Sequence, residues 1–320
     1  MIVRLTVLMP VYNGERYLDE AIASIAAQEL ADFEFVIVDD ASTDATPELL
    51  AKWAARDPRI VVLRLNENGG TARALNAGLA IARGEYIARQ DADDLSLPGR
   101  LARQVAALDE NPSAVLVTVG RIRIDEQGKH LGAAPNLVQP PEVVRFLLHF
   151  THAAIGVPGQ SMFRTAAARA AGGWDDTYRL AQGWEFASRL SKQGAFLSLP
   201  ELGMQYRVHD GRVSVQFRDE QVANATRISQ RMLSELIGRD VTFDEAAASA
   251  SVWFLHPRKG AAPAAARLWR EALSHFPLTR RERAIVRRIA ARRFARSAAL
   301  HASRMRPRDV VQHVSAALRA

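Results

Sequence analysis

Short apolar, β-branched runs alternate with stretches of helical periodicity over the first 120 residues. Leu5–Met9, Phe35–Asp39, Ile60–Leu65, Tyr86–Arg89 and Val115–Val119 read as strands. Between them, Glu15–Gln28, Pro47–Arg56, Thr71–Ala82 and Pro98–Leu108 carry helical spacing, and Pro47 stands at a favoured early helix position. Such alternation with short links predicts right-handed crossovers and a parallel sheet. The pattern loosens over residues 121–215, where Gly172–Asp176 reads as a turn and Trp184–Gln193 as a helix ended by Gly194. From about Asp219 the periodicity is helical to the end. Ala261–Phe276 reads as an alanine-rich amphipathic helix with Leu268, Trp269 and Leu273 on one face.

In open α/β sheets ligands bind beyond the carboxyl ends of the strands. The chemistry is therefore expected in Val11–Gly14, Asp39–Asp44, Asn66–Gly70 and Gln90–Asp94. All four segments are rich in Asp, Asn or Gly.

Composition narrows the classes. The chain has no cysteine, which excludes disulfides, zinc–thiolate sites and cysteine nucleophiles. No apolar run approaches the ~18–20 residues of a membrane-spanning helix. Met1–Val11 holds Arg4 and Pro10 and reads as a first strand, not a signal peptide. A cytoplasmic protein is expected. The formal net charge of +7 is uneven: residues 278–320 hold twelve arginines against Glu282 and Asp309, leaving −3 on residues 1–277. In the stretch from Arg280 to Arg308, Ile285, Val286, Ile289 and Phe294 lie among the arginines. Helices of this kind lie on anionic lipid, so peripheral contact with an anionic membrane at its inner face is one expectation. A solvated helix packed on its own domain is the other. No nucleic-acid partner is expected, because no recognition motif accompanies the charge.

Asp91-Ala92-Asp93-Asp94 directly follows a strand. Alternate carboxylates there can converge on a hard cation, Mn2+ or Mg2+, that bridges to substrate phosphates. A solvated acidic turn before the Pro98 helix is the plainer reading. Asp39-Asp40-Ala41-Ser42-Thr43-Asp44 offers carboxylates to the N–H of a base, and it also caps the next helix. Asn66-Glu67-Asn68-Gly69-Gly70-Thr71-Ala72-Arg73 is a turn into a helix that brings Arg73 toward the strand ends, where phosphate is one partner for it.

Together these pieces resemble the inverting family-2 glycosyltransferases. The stretches that carry the resemblance are Val7–Gly14, Val38–Asp44, the Asn68-Gly69-Gly70 turn with Arg73, and Gly84–Asp94. Gly172-Gly173-Trp174-Asp175 and Tyr206-Arg207-Val208-His209 add to them. The match spans about residues 3–215. It implies a GT-A fold: an α/β, Rossmann-like, mostly parallel sheet flanked by helices, here with a helical C-terminal extension. The implied domains are 1–215 for nucleotide-sugar binding and transfer, and 216–320 for a basic helical region. By resemblance, Pro10 and Tyr12 border the base, Asp40 binds its imide, and Arg73 and Asp91 lie at the nucleotide. Asp93 is the metal ligand of the DxD element, and His209 approaches the metal or the diphosphate. Read from the residues alone, His209 is equally a structural histidine.

Two stretches depart from the family pattern. Pro98-Gly99-Arg100 stands where Pro-Asp-Arg is usual. Ala181-Gln182-Gly183-Trp184-Glu185-Phe186 stands where the family carries Ala-Glu-Asp-aromatic-Asp-Leu, which puts Gly183 at the catalytic aspartate. Glycine has no side chain to take a proton, and Glu185 is the nearest substitute base in sequence.

The expected function is transfer of a sugar from a nucleotide sugar, UDP-linked by resemblance, to an acceptor hydroxyl with inversion. The acceptor is a carbohydrate or lipid-linked group, in cell-surface polysaccharide or glycolipid synthesis. The alternative is a weakened or inactive nucleotide-sugar-binding homologue, which Gly183 favours. A nicotinamide-dependent oxidoreductase needs a glycine fingerprint after the first strand, and Pro10-Val11-Tyr12-Asn13-Gly14 is not one.

Overall fold

The computed structural model describes residues 3–301 except 137, 152–155, 157, 212–215 and 254–260. Its elements in chain order begin β1 (Leu5–Val11), α1 (Leu18–Ala26), β2 (Phe33–Asp39), α2 (Thr46–Arg56), β3 (Ile60–Arg64) and α3 (Thr71–Ile81). There follow β4 (Tyr86–Arg89), β5 (Leu95–Ser96), α4 (Arg100–Glu110), β6 (Ala114–Ile124), β7 (His130–Ala134) and α5 (Pro141–Leu148). The rest are β8 (Ser161–Arg164), α6 (Thr165–Ala170), α7 (Gln182–Leu190), β9 (Ala195–Arg207), α8 (Arg218–Ile237), α9 (Phe243–Trp253), α10 (Ala261–His275) and α11 (Arg280–His301).

The fold is mixed α/β, with a sheet flanked by helices. Strands β3, β2, β1 and β4 lie side by side in parallel, Val7 opposite Phe35 and Leu8 opposite Arg89. Strands β1 and β2 are buried along almost their whole length, which is why they read as near-continuous apolar runs. Beyond β4 the sheet changes character. Strand β8 inserts antiparallel between β4 and β6, β9 runs parallel to β6, and β5 pairs antiparallel with β9. The parallel expectation therefore describes the first four strands, and the sixth is not their direct neighbour.

Two helices start later than their periodicity suggests. Helix α1 begins at Leu18 because Asn13 and Glu15 are drawn into bonds with the loop after β2. Helix α4 begins at Arg100 because Gly99 takes φ +72°. That left-handed turn suits glycine, a physical reason for the departure from Pro-Asp-Arg.

The chain divides into two compact units. The first comprises Met1–Gln139 and Ile155–Arg218 and holds the sheet. Its core includes Leu5, Val7, Met9, Phe35, Ile37, Leu101 and Met162. The second comprises Pro140–Ala154 and Asp219–Ala320, so α5 belongs with the C-terminal helices. Phe146, Phe150, Trp253 and Trp269 form its aromatic centre, with ring centroids 4.7 Å apart for Phe150 and Trp269. The sequence boundary at 215/216 adjoins residues outside the description.

Candidate donor site at the strand ends

The loops after β1 and β2 are fastened together. Asn13 N–H donates to Ser42 Oγ at 2.9 Å and Gly14 N–H to Thr46 Oγ1 at 2.9 Å, while Asn13 Oδ1 accepts Thr43 N–H at 2.8 Å. Glu15 Oε2 accepts Ala45 N–H. This zipper presents Pro10 at the end of β1 and leaves Tyr12 50% exposed, free to offer a flat ring.

Asp40 is almost fully buried, and each of its carboxylate oxygens already takes a backbone donor: Gly69 N–H at 2.9 Å and Gly70 N–H at 2.7 Å. It thereby ties the loop after β2 to the turn entering α3. Gly70 has φ +83°, a conformation glycine permits cheaply. A carboxylate offers about four lone-pair sites, so Asp40 retains acceptor capacity for a base N–H. Asp39 is committed differently, to Ser42 N–H and, at 3.4 Å, to Arg64. Arg73 is half exposed beside Glu67 at 3.1 Å.

The Asp91–Asp94 segment sits on a buried framework. Arg89 binds Asp91 Oδ1 through Nε at 3.1 Å and Nη2 at 3.0 Å. Arg100 is fully buried and spends all five of its N–H donors on neutral acceptors: Gln104 and Gln90 side chains, Ser96 Oγ, and the carbonyls of Arg89 and Gly159. Burial lowers its pKa to about 10. Arg207, at the end of β9, donates from its backbone to Asp94 Oδ1 at 2.9 Å and from Nε to the Asp93 carbonyl at 3.0 Å. Its guanidinium lies 4.5 Å from the Tyr17 ring and binds Glu20 at 2.6 Å.

This anchoring brings His209 to the aspartates. His209 Nε2 lies 3.0 Å from Asp93 Oδ2, with the imidazole packed 5.2 Å from the Tyr17 ring. Burial holds Asp94 well above the usual carboxylate range, and the nearby charges of Asp93 and Asp91 add to it. Asp94 Oδ2 and Tyr17 Oη are buried without a hydrogen-bond partner.

The residues fit a divalent cation. Neighbouring ligands of an octahedral ion with bonds of about 2.0–2.1 Å lie about 3 Å apart, the observed separation of His209 Nε2 and Asp93 Oδ2. Among the described residues no group of three or more His, Cys, Asp or Glu side chains stands ready to hold a metal. Two protein ligands suit an ion whose remaining positions go to water and substrate phosphates.

On the acceptor side, Gly183 lies in the first turn of α7. Glu185 is 1% exposed and its carboxylate is clasped by Arg189, Nε to Oε1 at 2.9 Å and Nη2 to Oε2 at 2.5 Å. Arg189 also donates to the Ala171 carbonyl and, at 2.8 Å, to the Gly173 carbonyl. Glu185 is therefore part of a clasp that holds the Gly-Gly-Trp turn. Asp175 Oδ1 accepts from Thr177, and Asp176 is exposed.

The family model described as Glycosyl transferase family 2 matches residues 6–172. The chain belongs to that family. It is 36% identical over 177 residues to the putative glycosyltransferase EpsE of Bacillus subtilis, covering 55% of this chain and 62% of that one. It is 30% identical over 218 residues to the succinoglycan biosynthesis protein ExoO of Rhizobium meliloti, covering 65% and 62%. The chain thus spans about three-fifths of the length of these two relatives. Among solved structures, S. aureus TarS 1–349 in complex with UDP-GlcNAc aligns with a TM-score of 0.60 at 17% identity, covering 98% of this chain and 90% of that one. The mannosyltransferase PcManGT from Pyrobaculum calidifontis, in complex with GDP-Man and Mn2+, aligns at 0.57 and 22%, covering 98% and 86%. At these identities the likeness speaks for the fold.

Sequence reasoning on this family-2 chain passed over Arg89, Arg100 and Arg207 as site residues. Arg89 and Arg207 lie inside stretches quoted for the resemblance and Arg100 inside one quoted as a departure from it, but a sequence does not say that an arginine is buried. The available signal was their immediate neighbourhood to Asp91–Asp94 and His209.

Proposed function

We propose that this chain transfers a glycosyl group from a nucleoside-diphosphate sugar, UDP-linked, to an acceptor hydroxyl with inversion. The observation that carries the reading is the Asp93–His209 pair set beside Asp91 at the strand ends. Tyr12 and Pro10 border the base, Asp40 accepts its imide N–H, and Arg73 and Asp91 face the nucleotide. Asp93 and His209 would hold Mn2+ or Mg2+. The cation would supply positive charge against the diphosphate as it departs.

The acceptor oxygen attacks the anomeric carbon from the face opposite the diphosphate. The new C–O bond forms as the bond to the diphosphate oxygen breaks, and the electron pair leaves with the nucleotide. The acceptor's proton has no carboxylate waiting at Gly183 and passes to solvent. General-base help of ~10²–10⁴-fold is therefore missing. That absence, with Glu185 engaged by Arg189, favours a second reading: a weakened or inactive homologue that binds nucleotide sugar. The succinoglycan biosynthesis named for ExoO supports a carbohydrate or lipid-linked acceptor. No described helix is long and apolar enough to cross a membrane.

The test is calorimetric binding and turnover across UDP-, GDP- and dTDP-sugars with Mn2+. Tight UDP-sugar binding with slow transfer supports the proposal. Binding with no turnover selects the second reading, and absence of any nucleotide-sugar binding overturns both.

A further inference from the structure

Helix α11 (Arg280–His301) contains eight arginines and a single acid, Glu282. The acid is spent at the helix start: Thr279 N–H donates to Glu282 Oε2 at 2.8 Å and Glu282 N–H to Thr279 Oγ1 at 3.3 Å, a reciprocal cap. The helix then buries one side. Val286, Ala290, Phe294 and Ser297 are fully or nearly fully buried, and Ile285 and Ile289 pack against the same core. At about 100° per residue, the four buried positions fall within roughly 80° of one another.

The apolar residues that made this stretch look like a lipid-inserting helix are thus consumed by the chain's own core. Outward remain six arginines and, among the other exposed positions, only alanines. Arg281, Arg288, Arg292 and Arg296 are all exposed. By the same arithmetic they share a stripe about 80° wide and about 22 Å long, centred about 160° from the buried positions, with the partly buried Ile285 near its edge toward the core. No acidic side chain of the helix lies on that stripe, because Glu282 is held in the cap.

We propose that this arginine stripe is a docking surface for an anionic phospholipid bilayer, bound at headgroup level without insertion of apolar side chains. Charge complementarity carries the choice of occupant. A straight, one-sided row of guanidinium groups matches a plane of phosphates, which each fork can bind bidentately. A nucleic-acid strand would also meet aromatic platforms, but Phe294, the one Phe, Tyr or Trp of the helix, is buried. The part of the expected tail beyond residue 301, with Arg304, Arg306 and Arg308, lies outside the described residues.

The experiment is flotation of the full-length chain with vesicles of phosphatidylcholine alone and with about a third phosphatidylglycerol. Binding is expected only to the anionic vesicles, and it is expected to vanish between about 0.05 and 0.5 M salt as charges are screened. Each Arg→Gln change on the stripe is expected to weaken partitioning about fivefold, and R281E/R288E/R292E/R296E to abolish it. The quadruple lysine variant keeps most of the binding. Circular dichroism and nucleotide-sugar affinity, both expected unchanged, separate lost docking from lost fold. If the glutamate variant misfolds, the single glutamine variants and the wild-type salt titration still decide. Equal binding to neutral vesicles, salt-insensitive binding or no binding overturns the proposal. So does a single-stranded oligonucleotide that outcompetes the vesicles.

Discussion

His209 Nε2 and Asp93 Oδ2 meet at 3.0 Å although 116 residues separate them in the chain. The contact exists because Arg207, two residues before His209, is bolted to the Asp93 carbonyl and to Asp94. If the pair holds the cation, His209→Ala and Asp93→Ala should each remove the Mn2+-dependent part of UDP-sugar binding. The double variant should then lose little more than either single one, since both act on one ion. Calorimetry with and without chelator measures this. Affinities that ignore the chelator in wild type would remove the metal from the scheme.

Asp40 has two jobs in this geometry, and one substitution tests both. A charge-assisted bond to the base is worth ~1.5–3 kcal/mol, so Asp40→Ala should weaken UDP about tenfold or more. It also releases Gly69 and Gly70 N–H, so the turn into α3 should exchange its amides faster. If amide exchange rises while UDP affinity holds, Asp40 is a brace for the turn and the base lies elsewhere.

The contrast between these residues shows what the chain makes legible. Strands β1 and β2 are buried on both faces and announce themselves as apolar runs, so the loops that follow them could be placed in advance. Strand β9 does not, because Pro200, Glu201 and Gly203 interrupt it and its burial is mixed. Strand β8 is only four residues long, too short for a period. The antiparallel half of the sheet was hidden for those reasons. Asp40, Asp91 and Asp93 are candidates by position, each standing just after a strand. His209 was readable only through the family resemblance, since nothing local ties it to Asp93. For Glu185 a sequence shows its distance from Gly183 but not the grip of Arg189.

His149 offers a pH test of the helical unit. Its Nδ1 lies 3.0 Å from the Arg145 carbonyl and 3.1 Å from that of Phe146, so it carries the proton and donates there. The ring packs among Phe146 and Phe276, and burial lowers its pKa from 6.5 to about 4. The folded state therefore holds the neutral form. The stability this contributes is present above pH 6.5 and is lost as pH falls toward 4, a decline of about 3 kcal/mol. Glu245 and Glu271 are depressed by their bonds to Arg239, and their contributions fade only below about 4.5. Between pH 6.5 and 4.5 the buried Asp94, held above its usual range, contributes in the opposite sense, so histidine's share is the difference between wild type and a His149 variant. Urea unfolding followed by tryptophan fluorescence, to which Trp253 and Trp269 of this unit contribute beside Trp53, Trp174 and Trp184 of the other, should show a steeper decline toward acid in wild type than in His149→Gln. An unchanged slope in the variant would assign the effect to another group.

The acceptor side yields the sharpest pair of variants. Gly183, which the resemblance aligns with the base of family-2 enzymes, lies in the first turn of α7 with no side chain to receive a proton. Glu185 lies two residues on, about 200° around the helix, and its carboxylate points into the clasp with Arg189. The hydrogen bonds that Arg189 donates to Glu185 raise the Arg189 pKa, so the two charges are matched to each other. Glu185→Gln should therefore act on stability. Leaving Arg189 without its buried partner should cost roughly 2–3 kcal/mol and loosen the Gly172–Trp174 turn, without changing the pH profile of any transfer activity. Gly183→Asp should do the reverse. It should raise transfer by on the order of 10²-fold with donor affinity unchanged, and introduce an acidic limb into the pH–rate profile. If Glu185→Gln instead erases a vigorous activity while its urea midpoint stays in place, Glu185 is the base. If both variants leave vigorous transfer untouched, the acceptor is bound away from α7.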